Sequence, residues 1–165
     1  MKWTKAIVVG AMGSLLMIGF MKLLIVLDFA PFNLPPSAAF LANFGLPPMP
    51  LGVIAHFLYG SLGSVLFVAA FPRGDIKRGC LFAGLLWLVM MTVYSPLMGW
   101  GIFGVAAPGS ALAADHPLYL EASPKFVLTS LAMHLSYGVV LGVLNPRFRV
   151  LGIEPVPIER AGARG

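Results

Sequence analysis

Charge is what this sequence has least of. Asp, Glu, Lys and Arg make up 10% of its 165 residues, against 59% hydrophobic. Mean hydropathy is +0.91, which excludes an ordinary water-soluble domain, whose surface needs far more charge. Cysteine is almost missing as well: Cys80 stands alone, so neither an intramolecular disulfide nor a paired-thiolate metal motif is available, and a buried structural thiol is expected. Also lacking are a phosphate-cradling glycine loop, a Gly-x-Ser-x-Gly elbow, a His-Glu-x-x-His helix and paired carboxylates within the apolar runs. These gaps point away from an enzyme.

From residue 29 to residue 72 there is no Asp, Glu, Lys or Arg at all, yet prolines at 31, 35, 36, 47, 48 and 50 break the first half of that stretch. One regular helix cannot cross it. The short apolar piece 38–45 between the proline pairs suits a segment lying in the interface or folded back over the other helices.

What is abundant is long apolar sequence. About 20 apolar residues span a hydrocarbon core roughly 30 Å thick, and four runs meet that requirement. The predicted helices are 6–28, 51–71, 80–95 and 124–144, forming one four-helix transmembrane domain over 1–150, followed by a mobile cytoplasmic tail at 151–165. The first run is too long for a signal-peptide core, and Asp28-Phe29-Ala30-Pro31 is a poor cleavage site, so a retained helix is expected. Pro72-Arg73-Gly74-Asp75 reads as a turn. Ser123-Pro124 is a helix start and Asn145-Pro146-Arg147 a helix stop.

The formal charge of +5 does not indicate nucleic acid, because the eleven basic residues are scattered between apolar blocks. With four crossings, nine of them (Lys2, Lys5, Arg73, Lys77, Arg78, Arg147, Arg149, Arg160 and Arg164) fall on one side. The positive-inside rule then places both termini in the cytoplasm of a bacterial inner membrane. Trp3, Trp100, Tyr94 and Tyr119 lie near predicted helix ends, where aromatic belts form, while Trp87 lies deeper. Met90, Met91 and Met98 read as core filler, with soft metal ligation the sharper alternative.

The sequence also repeats itself. Gly52, His56, Gly60 and Ser64 match Ser130, His134, Gly138 and Gly142 at a constant offset of 78, and Tyr59 matches Tyr137. Residues four apart share a helical stripe, so each histidine sits in a ridge of small residues that lets helix backbones approach closely in lipid. The first helix has its own ridge at Ala6, Gly10 and Ser14. A duplicated helical hairpin with a pseudo-two-fold axis along the membrane normal is the implied architecture.

For His56 and His134 three roles are open. They tie helices together by hydrogen bonds, they hold a metal ion or relay protons, or they ligate a b-type haem. Lys22, inside the first apolar run, either snorkels to the headgroups or faces inward as an ion or proton site.

Pro96-Leu97-Met98-Gly99, taken with His56 and His134 on the second and fourth predicted helices, resembles small uncharacterised bacterial inner-membrane proteins of the YagU-like kind. That resemblance covers roughly residues 6–147 and implies a four-helix membrane fold, with no reaction to carry over. The function expected is a non-enzymatic accessory or stress-related membrane role, without a cofactor, in lipid and with a membrane-protein partner or a second copy. The alternatives are a small-solute or proton-linked transporter in which Lys22, His56 and His134 face a polar cavity beneath the uncharged 31–50 connection, and a haem- or metal-binding redox protein.

Overall fold

The computed structural model describes residues 2–105, 112–121 and 123–150; the tail expected at 151–165 lies outside them. Among the described residues the regular structure is helical, apart from one isolated bridge between Phe32 and Leu120. Four helical stretches are long and apolar enough to cross a membrane: 3–26, 51–70, 76–97 and 124–146.

The first helix, α1 (Lys2–Val26), ends where Asp28 turns to a φ of 53°, a left-handed conformation that Asp tolerates better than bulkier residues. Leu24 C=O there accepts from Phe29 N–H at 2.8 Å. Proline then sets the next start: Pro36 opens α2 (Pro36–Asn43), its fixed φ suited to a first turn. Gly45, at φ 71°, lets the chain leave. Eight residues make only about 12 Å of helix, so α2 cannot span and folds back over α3 (Leu51–Ala70). Ala38 of α2 lies against Gly52 of α3, which has room for nothing larger than hydrogen.

The next helix, α4 (Ile76–Val89), begins earlier than the expected residue 80. Asp75 is the reason: its carboxylate accepts from Arg78 N–H at 2.9 Å and caps the helix. Lys77 and Arg78 therefore occupy its first turn instead of a loop. The rod also continues past residue 95, through a π-helical turn (Met90–Tyr94) into α5 (Ser95–Leu97). Pro96 cannot donate a backbone hydrogen bond, and just before it Ser95 N–H bonds Met90 C=O five residues back.

The helix α6 (Pro124–Val150) runs straight through Pro146, where a stop was expected. Proline there removes one helical hydrogen bond, and its neighbour is held by tertiary contact. Asn145 Nδ2 donates to Leu141 C=O at 3.2 Å and to Ser64 Oγ of α3 at 3.3 Å.

Glycine determines how the helices meet. A Cβ on Gly10 of α1 would strike the Gly60 backbone of α3, and one on Gly79 of α4 would strike the Gly138 carbonyl of α6. Gly142 meets Asp75 and Ile76 in the same way. The helix α1 packs on both α3 and α6, α4 packs on α6, and α3 and α6 touch little. Outward from these seams stand Leu15, Leu58, Leu81 and Leu128, all more than half exposed. Apolar side chains facing out from every long helix require an apolar surrounding, so this is a multi-pass membrane protein.

At the end away from the N-terminus, the connections tie to one another. Glu121 N–H donates to Pro31 C=O at 2.8 Å, and Asn33 Nδ2 donates to the carbonyls of Ala114 (2.7 Å) and His116 (3.0 Å). Trp100 Nε1 donates to Leu118 C=O at 2.9 Å. This knitting gives donors to the backbone carbonyls of Pro31, Ala114, His116 and Leu118.

Candidate functional site

Beneath α2, in the half of the spanning region next to these connections, the helices enclose a cavity of about 410 Å³. From α1 come Met17 and Met21, and from α6 Ser130, Met133 and His134. The opposite walls are Ala55, His56 and Tyr59 of α3 with Leu86, Val89, Met90 and Tyr94 of the α4 rod. Pro35, Pro36, Ser37 and Phe40 form the roof.

The cavity exists because α3 and α4 stand apart here. On the side nearer the 71–75 turn, the rings of Phe67, Phe71 and Phe82 fill the gap, with centroids 5.5 to 6.4 Å apart. On the other side nothing equivalent among the described residues bridges it. The lining residues Phe40, Tyr59 and Val89 are 39%, 42% and 55% exposed, so the mouth opens sideways, toward the lipid-facing surface. The roof is held by Tyr94, whose hydroxyl donates to Pro36 C=O at 2.5 Å while its ring lies 6.1 Å from Phe40.

Both repeated histidines line this one cavity, although the backbones of the helices that carry them mostly stand apart. Each ridge is thus divided by depth. Gly60 and Ser64, like Gly138 and Gly142, pack helix on helix; His56 and His134, one turn nearer the roof, flank the open volume. Ser130 lines the cavity as well.

His134 is 4% exposed, and its Nδ1 lies 2.8 Å from Ser130 C=O. A carbonyl only accepts, so Nδ1 of the neutral ring carries the hydrogen and Nε2 keeps a lone pair. Ser130 Oγ accepts from Trp87 Nε1 at 3.1 Å and donates to Phe126 C=O at 2.5 Å. His56 is held from the other side, its backbone C=O accepting from Ser14 Oγ at 3.2 Å. Its Nε2 is buried without a hydrogen-bond partner among the described residues.

The two tyrosines of the repeat part company. Tyr137 is 1% exposed and donates to Gly60 C=O at 2.5 Å, tying α6 to α3, whereas Tyr59 stands at the cavity mouth. Lys22 is exposed on α1 and is not among the cavity-lining residues, so it does not join the two histidines.

Sequence reasoning missed Met17, Met21 and Met133. The signal was present: Met17 and Met21 extend the Ala6, Gly10, Ser14 stripe by steps of three and four, and Met133 adjoins His134. Among the described residues no group of three or more His, Cys, Asp or Glu side chains is placed to hold a metal ion. No protein-family model, curated protein or solved structure matches this chain.

Proposed function

We propose that this is a small, non-enzymatic inner-membrane protein that binds a compact, mainly apolar molecule in the cavity beneath α2. The observation that carries the reading is the volume itself. About 410 Å³ within the apolar span falls in the range of roughly 300–1,000 Å³ used for small molecules, and its walls are apolar side chains with a few polar groups. Both termini are cytoplasmic in this reading, by the distribution of basic residues. The chain is a duplicated hairpin, α1–α3 and α4–α6, and the matching Gly10–Gly60 and Gly79–Gly138 contacts support it. The close α1–α6 packing has no counterpart of similar extent between α3 and α4, so the likeness holds within each hairpin more than between them.

The test is a titration of the purified chain with naphthalene, read on isotope-labelled methionine methyls by NMR. Met17, Met21, Met90 and Met133 shift saturably, while Met12 and Met49, 46% and 57% exposed, do not. Ala55→Trp, which fills the cavity, abolishes the shifts. Equal response of all six methyls in both proteins overturns the reading.

One observation favours a second reading. Four thioethers and two imidazoles around one volume form a soft donor set, of the kind that selects Cu(I) or its analogue Ag(I). Stoichiometric uptake of Ag(I) by the chain, lost when Met17, Met21 and Met133 are all replaced by Leu, is its expected result; absence of uptake removes it.

A further inference from the structure

We infer that the molecule taken by this cavity carries a hydroxyl group, an otherwise apolar alcohol or phenol dissolved in the bilayer, which donates its hydrogen to Nε2 of His134. The inference rests on the cavity reading above and adds the polarity of the contact. His134 is buried at the cavity wall with Nδ1–H committed to the Ser130 carbonyl, so what it offers an occupant is an acceptor. Two neighbouring hydroxyls are already committed: Ser130 Oγ gives its hydrogen to Phe126 C=O, and Tyr94 gives its own to Pro36 C=O. At His134 Nε2, a molecule bearing only a carbonyl or ether oxygen would set one acceptor against another. A hydroxyl instead donates to that nitrogen. The sideways mouth between Tyr59 and Val89 is the route for a molecule arriving from the lipid phase rather than from water.

The experiment compares 2-naphthol with 2-methoxynaphthalene, the same frame with and without a donor hydrogen. Both are titrated into the purified full chain labelled with ¹⁵N-histidine and ¹³C-methyl methionine. The expected result is tighter binding of 2-naphthol by about 3- to 10-fold, the worth of one net hydrogen bond, with a shift of the His134 Nε2 resonance that 2-methoxynaphthalene does not produce. His134→Phe abolishes the preference, and His134→Gln, which retains an acceptor oxygen, restores part of it. The wild-type Nε2 shift decides the matter even if neither variant folds. Equal affinities with His134 Nε2 unmoved, while the cavity methionines respond to both probes, overturn the hydroxyl inference and leave the cavity reading standing. If neither probe moves those methionines, the cavity reading falls and this inference with it.

Discussion

Glycine does two different jobs in these helices, and single substitutions separate them. A methyl added at Gly138 meets Ala83 Cβ at 2.9 Å and collides with the backbone of α4, whereas one added at Gly19 or Gly84 meets nothing within 4 Å. Gly138→Ala is therefore expected to destabilise by about 1–3 kcal/mol through overpacking. Gly84→Ala is expected to stabilise by up to about 1 kcal/mol, because alanine is the better helix former. Unfolding of the purified chain in mixed micelles, monitored by circular dichroism, gives both values, and destabilisation of equal size at the two sites would refute the seam. At this scale the sequence was partly legible: the repeated small residues marked close approach, because steps of four must share a helical face. That His56 and His134 border open volume was one alternative among several, since a stripe specifies a direction and leaves open whether a neighbour occupies it.

The helix ends follow from local chemistry that tertiary contacts then modify. Asp75 caps α4, and its ion pair with Arg78 is 3.5 Å long between half-exposed side chains, so the cap should outweigh the pair. Asp75→Ala is expected to cost about 0.5–2 kcal/mol and Asp75→Asn much less, since Asn caps as well without the charge. The same unfolding measurement checks this, and an equal loss in both variants would transfer the effect to charge. On the opposite side, Tyr94 holds α2 at Pro36. Tyr94→Phe should accelerate amide hydrogen exchange in 39–43 while leaving α6 unchanged; unaltered exchange would mean that Tyr94 does not hold the roof. Element existence was readable from apolar runs and proline pairs. The continuation of α6 through Pro146 was not, because proline breaks a helix only where no neighbour compensates, and the Ser64 hydroxyl that meets Asn145 comes from 81 residues away.

For the whole molecule, orientation is the consequence most open to measurement. In a Cys80→Ala background, a cysteine at Asp115 is expected to react with a membrane-impermeant maleimide in intact cells from which any outer membrane has been removed. One at Pro72 should react only after lysis. Both positions are exposed, at opposite ends of the spanning helices, and the reverse pattern would invert the topology. The sequence by itself determined the solvent and the number of crossings, because burying this much apolar surface with so few charges leaves only the bilayer as surroundings, and each crossing needs a run of fixed length. It also marked the stripes along which helices approach. The tertiary structure decided which helices share those stripes, placing α1 and α6 side by side and holding α3 and α4 apart. That choice puts two histidines from distant turns on one cavity and leaves Lys22 outside it. Pairing depends on the fit of glycine seams between helices far apart in sequence, and the periodicity of a single helix does not encode its partner.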